Sequence, residues 1–204
     1  MEQINPYSSA SQAIDALDNG GKFYNIFTKA DDDLISQSEV SKVAGAGFQK
    51  QKGVLFLQLA MSKLSEREQL EVIGRFDDNL LENYNKYKPE EITSYQAFNV
   101  LNAGTGIVVN GIPKKIDSEG IISGYISIPV IDVFTLIPIS ETYIVYEIKD
   151  EETGVSILVA HEKESATLPE VNMKLSGVIK QFQLTQDEES DFEKFIEIEY
   201  YVGI

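Results

Sequence analysis

The sequence predicts an α+β protein: an N-terminal helical bundle over residues 1–90, then a C-terminal antiparallel β-sandwich or barrel over residues 91–204. Two changes along the chain point there. Up to about Tyr87, apolar residues recur at i, i+3 and i+4, the stripe of a helix. From about Thr93, apolar and polar residues alternate and turn signals recur every 8–12 or so positions, the rhythm of short strands. Composition bounds the answer. A chain of 204 residues, 43% hydrophobic and 25% charged, is ordinary for one large or two small globular domains.

The helices follow in order. Ser11 to Leu17 reads as a short helix stopped by Asn19-Gly20-Gly21. Phe23, Ile26 and Phe27 make one helical stripe, and Val40, Val43 and Ala44 make another, so two helices flank an acidic turn. Gly45-Ala46-Gly47 ends that pair. Gln49 to Leu64 is apolar well beyond one side, through Val54, Leu55, Leu57, Leu59, Ala60, Met61 and Leu64, as expected of the bundle's central helix. Ser65-Glu66-Arg67-Glu68 is a capping box. It opens one helix to about Tyr87, with Leu70, Ile73, Leu80, Leu81 and Tyr84 facing inward and Asp77 the single polar intruder. Lys88-Pro89 closes the bundle.

The strands are marked by their punctuation. Asn110-Gly111 predicts a hairpin turn. Ile121 to Ile139 is apolar enough to need a membrane check, but its prolines, Gly124, Asp132 and β-branched residues argue for strands and against a spanning helix. Thr142 to Ile148 is apolar on both faces and reads as a central strand. Gly177 marks a bulge or a close backbone approach within the strand Met173 to Gln183. Thr185-Gln186-Asp187-Glu188 is a further capping box, predicting a short helix near residues 186–195. A final strand alternates through Ile196, Ile198, Tyr200 and Val202.

Charge and missing residue types narrow the function. The net charge of −16 argues against binding nucleic acid or anionic lipid, which need a positive surface. It suits a cation or a basic protein partner. No cysteine is present, so thiolate metal sites and cysteine nucleophiles are excluded. There is one histidine, His161, which excludes a multi-histidine centre within one chain. Beside Glu162 at a strand end, it is expected on the solvated surface. Gly104-Thr105-Gly106 lacks the remainder of a phosphate-binding motif and reads as a tight turn. No leader peptide or membrane span is legible, so the expected location is cytoplasmic.

The one stretch whose spacing suggests chemistry is Asp31-Asp32-Asp33-Leu34-Ile35-Ser36-Gln37-Ser38-Glu39. Over residues 23–47 it resembles an EF-hand, with an entering helix, an acidic loop, a central Ile and a Glu opening the exit helix. The acidic turn of TerB-like tellurite-resistance proteins is similar. With Ile35 at loop position 8 and Glu39 at position 12, Thr28, Ala30 and Asp32 take positions 1, 3 and 5; Asp33, Leu34 and Ser36 take 6, 7 and 9. The resemblance implies a divalent-cation site, calcium first, held by Thr28, Asp32, Ser36 and Glu39, with Leu34 giving its backbone carbonyl. The departures weaken it. Thr28 is a poor first ligand, Ala30 offers no side-chain oxygen, and Asp33 stands where a glycine makes the turn. The same residues also read as a plain capping box, Ser36 to Glu39. EF-hands come in pairs, and the best partner segment, Lys63 to Glu68, shares the Ser-x-x-Glu pattern but has no aspartates before it, so it reads as a second capping box and no second site.

The sequence thus points to a non-catalytic interaction or structural, assembly protein that binds a protein partner or itself. The alternative is a calcium-responsive binding protein using the acidic turn. A carboxylate-dependent hydrolase is a second alternative, left open by 33 acidic residues.

Overall fold

The computed structural model describes residues 1–18, 32–47, 49–116, 125–130, 133–138, 143–150, 153–162, 165–183 and 193–204, with the backbone alone at 125–130, 133–138 and 183. The chain divides into a helical unit, Gln3–Pro89, and a sheet unit, Met1–Glu2 with Glu90–Ile204.

In the helical unit, local sequence sets the ends of each helix. α1 (Ala10–Leu17) starts where the Ser9 hydroxyl accepts from the Gln12 amide, and it buries Ala13 and Leu17. α2 (Gln37–Val43) opens on a complete capping box between Ser36 and Glu39. α3 (Lys50–Ala60) is the central helix, with Gly53 to Leu57, Leu59 and Ala60 all buried. α4 (Glu66–Ile73) opens on the second complete box, Ser65 with Glu68. α5 (Asp78–Tyr87) follows it.

The single helix expected from Ser65 to Tyr87 is therefore two. Asp77 is no intruder on a helical face. It is the N-cap of α5, and its Oδ1 accepts from the Leu80 amide at 2.7 Å. The break has a second cause in the backbone. Ile35 donates to the Arg75 carbonyl at 2.7 Å, and Asp77 donates to the Ile35 carbonyl at 2.9 Å. This parallel bridge of Ile35 with Phe76 uses groups that an uninterrupted helix would need for itself.

The sheet unit contains β1 (Glu2–Gln3), β2 (Glu90–Ile92), α6 (Tyr95–Asn99), β3 (Gly106–Gly111), β4 (Lys114–Lys115), β5 (Tyr125–Val130), β6 (Val133–Pro138), β7 (Tyr143–Lys149), β8 (Ser156–Glu162), β9 (Met173–Gln183) and β10 (Glu193–Gly203). The main path runs β2-β3-β9-β10-β8-β7-β4, with β1 added to β10 and the β5–β6 hairpin added to β9. The stretch that needed a membrane check thus contains two paired strands.

The sheet is mixed, where an antiparallel one was expected. β2 pairs β3 in parallel, and β8 pairs β10 in parallel. Parallel neighbours require a crossover. Residues 93–105, carrying α6, supply the first, and β9 lies within the second. The Asn110-Gly111 hairpin is also corrected. Both residues stay in β3, facing Lys174 and Met173 of β9. Gly111 is needed for close approach, because a Cβ there would strike Ile148. The chain then bends through residues 112–113, and β4 joins β7. At residues 193–195 the expected helix gives way to strand, with Glu193 opposite Phe182 and Phe195 opposite Lys180; residues 186–192 lie outside the described residues.

β7 is buried on both faces, as its double apolar pattern predicts. Tyr146 and Ile148 join Ile107, Val109, Val159, Leu175, Ile179, Ile196 and Ile198 in the larger core. Tyr143 and Val145 pack on the other face with Ala160, Phe182 and Phe195. Gly177 is a close-approach position beside a bulge. A Cβ there would run into the Glu197 carbonyl, and the β9–β10 register shifts between Ile198 and Tyr200.

Candidate functional site

The acidic turn is held by backbone amides. Asp18, the C-cap of α1, is buried and receives the Asp32 amide on Oδ1 at 3.3 Å and the Asp33 amide on Oδ2 at 3.1 Å. Asp33 has φ of 65°, the left-handed conformation that Asp tolerates and that the turn demands. Its exposed carboxylate lies 3.4 Å from Arg75. Asp32 Oδ1 accepts from the Leu34 amide at 3.2 Å, and the Leu34 side chain is exposed.

Glu39 closes the turn. Its Oε2 accepts from the Ser36 amide and the Ser36 hydroxyl, each at 2.8 Å. Its Oε1 is buried and has no hydrogen-bond partner, although the residue is only 3% exposed. Burial is the main cause that pushes its carboxyl above the usual range. The two Ser36 hydrogen bonds oppose that shift, and the charges of Asp18 and Asp32 add to it.

Of the five predicted cation ligands, Asp32, Leu34, Ser36 and Glu39 lie together at the N-terminus of α2, and Thr28 lies outside the described residues. Among the described residues, no three His, Asp or Glu side chains gather as a metal-holding group. The segment that bridges the acidic turn is Arg75-Phe76-Asp77. Ser65 and Glu68 form a complete capping box that opens α4, as their spacing predicts.

His161 is a second correction. It is 1% exposed, not on the solvated surface, because its strand position faces the larger core beside Ile144. Its ring stacks on Tyr146 with centroids 5.5 Å apart. Nε2 lies 3.2 Å from the Tyr146 hydroxyl and Nδ1 lies 2.8 Å from the Glu162 carbonyl. A carbonyl can only accept, so Nδ1 carries the proton of the neutral ring and Nε2 accepts from Tyr146. The same hydroxyl accepts from the Leu168 amide at 3.0 Å. Burial is the leading cause that holds the imidazole below its ordinary pKa; the Glu162 carbonyl opposes this and the Met1 ammonium adds to it.

No family model matches this chain, and no curated protein does. Among solved structures, it is similar to the N-terminal domain of an archaeal MCM, at 14% identity and a TM-score of 0.35. That match covers 82% of this chain and 84% of the other.

Two residues escaped the reading of spacing. Asp18 precedes the turn by fourteen positions, and no local pattern marks it as the acceptor of the turn's amides. Tyr146 is fifteen positions from His161 and meets it only through the pairing of β7 with β8. The one available signal was the apolar pattern of β7, which predicted a buried strand without naming the neighbour.

Proposed function

We propose that this chain is a non-catalytic binding or assembly protein whose sheet unit is a five-stranded barrel of the OB type. In this reading β3 and β4 act as one bent strand, pairing β9 at one end of the path and β7 at the other. The parallel β8–β10 pair completes the circuit β3/β4-β9-β10-β8-β7.

The carrying observation is the face of β7, β8 and β10 turned away from the larger core. Barrels of this type bind extended ligands across their strands and loops. Around the buried cluster of Tyr143, Val145, Ala160 and Phe195, that face carries Glu147 and Glu162 at its margins, together with Glu197 held by the Tyr143 hydroxyl at 2.8 Å and Lys180 at 3.2 Å. Nucleic acid wants a basic groove with stacking aromatics. An acidic face on a chain of charge −16 suits a basic polypeptide, from another protein or another copy. The non-catalytic half is supported by His161, the chain's one imidazole, with both ring nitrogens committed to structural hydrogen bonds.

Sedimentation velocity tests it, on the protein alone over a wide concentration range, with a lysine-rich peptide, and with single-stranded DNA. A larger species is expected alone or with the peptide, weakened by Glu147→Lys with Glu162→Lys, and none with DNA. A particle that remains monomeric and unbound throughout overturns the reading.

A second reading, a divalent-cation-responsive protein using the acidic turn, is favoured by the Glu39 carboxylate. A buried, half-satisfied carboxylate near Asp18 and Asp32 is stabilised by a proton or a cation. Calcium is the first candidate, with Asp32, Ser36, Glu39 and the Leu34 carbonyl as ligands and Thr28 as the remaining one proposed from the loop register. Titration calorimetry with calcium should give saturable heat that Glu39→Ala abolishes. No heat at millimolar calcium sinks this reading.

A further inference from the structure

The hydrogen bonds around His161 join three parts of the sheet unit. The Leu168 amide donates to Tyr146 Oη, Tyr146 Oη donates to His161 Nε2, and His161 Nδ1 donates to the Glu162 carbonyl. Tyr146 sits on β7, His161 on β8, and Leu168 in the connection that leads to β9. Leu168 is buried within the larger core. The same connection is tied once more, where the Met1 ammonium donates to the Ser165 hydroxyl at 3.3 Å.

We propose that His161 is a proton-sensitive latch: the neutral ring holds Tyr146 and through it the connection 165–172 against the core, and protonation releases that connection.

A proton arriving from water binds at Nε2, the one ring nitrogen that carries no hydrogen, and it displaces the hydrogen bond that Nε2 accepts from Tyr146. Nε2 is then a donor, and it points at an oxygen that was donating to it. Tyr146 can accept from it only by turning its own hydrogen away, leaving a buried hydroxyl without an acceptor. The new charge is also buried, on a ring that is 1% exposed. The charged and titratable groups around the ring offer little relief. From β7 comes the Tyr146 hydroxyl; from β8, the Glu162 carbonyl, while the Glu162 carboxylate is in solvent. From the chain start comes the Met1 ammonium, which repels a second positive charge. From the connection come the neutral Ser165 and the exposed Glu170. On β10 the register sets Ile196 beside Val159 and Glu197 beside Ala160, and the next core residue is the apolar Ile198, followed in the chain by Glu199. Opening the connection lets water reach the ring and removes both penalties, so the proton favours the open form.

A single histidine makes the test clean, since every imidazole signal belongs to His161. Nitrogen-15 NMR should show the neutral Nδ1–H tautomer at about pH 8, and Leu168 amide exchange should then be followed down to about pH 5, across the histidine range. After correction for intrinsic exchange, opening at Leu168 should rise by up to about tenfold per pH unit below the free imidazole value. Leu175 and Ile179, in the centre of β9, should keep their protection. His161→Gln should flatten the slope, and Tyr146→Phe should leave Leu168 poorly protected at every pH. The Nε2–H tautomer in the wild type overturns the latch. So does a Leu168 protection that stays constant while the ring titrates, or a slope that survives in His161→Gln. The wild-type tautomer and titration decide the matter even where a variant does not fold.

Discussion

Glu39 is an acidic group in a place that disfavours charge. One oxygen takes two hydrogen bonds from Ser36 and the other takes none. Because burial raises its pKa, its contribution to stability is fully present below the ordinary carboxyl value and is lost as pH rises through the raised one. Glu39→Gln keeps an oxygen for the cap, since Gln serves the capping box as Glu does. It removes the charge from the field of Asp18 and Asp32. The variant should therefore be more stable at neutral pH, by roughly 1 kcal/mol of unfolding free energy read as a higher urea midpoint, and the advantage should shrink as pH falls toward the carboxyl range. Equal midpoints at neutral pH would show that the carboxylate is well solvated after all. Gly177→Ala tests a different kind of fit at the same scale. Its methyl would meet the Glu197 carbonyl, which is backbone and cannot swing aside. An overpacked site of this sort costs about 1–3 kcal/mol or more, read as a lower thermal midpoint. An unchanged midpoint would mean that the β9–β10 bulge relaxes freely.

Helix boundaries were legible where one side chain makes them. Ser36 and Ser65 form two of the three predicted capping boxes, and each starts a helix; the third, Thr185 to Glu188, lies outside the described residues. Asp77 was misread because its spacing also fits an inward stripe; only the pairing of Ile35 with Phe76 reveals why the chain stops being helical there. Asp77→Ala should remove the cap of α5 and destabilise the helical unit by about 0.5–2 kcal/mol, seen as faster amide exchange at Leu80 and Leu81. If exchange there is unaltered, the bridge alone sets the start of α5. α6 has five residues, too few for a periodic signal, and only Ser94 marks it. Strand identity was legible in β7, β8 and β9 because a strand's apolar pattern, one-faced or two-faced, is local. The parallel pairs were not, because they depend on which strand returns between two others. The candidate cation ligands show the same limit. Ser36 and Glu39 were found by spacing, whereas Asp18, which supports the turn, belongs to another helix.

Across the whole molecule the excess of negative charge opposes folding. At −16, the folded chain gathers like charges that the unfolded chain spreads apart, and monovalent salt should screen that repulsion and raise the thermal midpoint. The size of the rise depends on ionic strength and not on which salt supplies it. Calcium then separates two effects that look alike in a single measurement. If it acts only by screening, calcium and sodium chloride at equal ionic strength give the same midpoint, in the wild type and in Glu39→Gln alike. If the acidic turn holds the ion, calcium adds a further rise that grows with its concentration as a ligand's does. Glu39→Gln, having lost a ligand charge but kept its fold, should lose that further rise and keep the response to sodium. A calcium response of equal size in both proteins would assign it to diffuse charge and remove the acidic turn from consideration, while leaving the proposal for the acidic face of the sheet unit untouched.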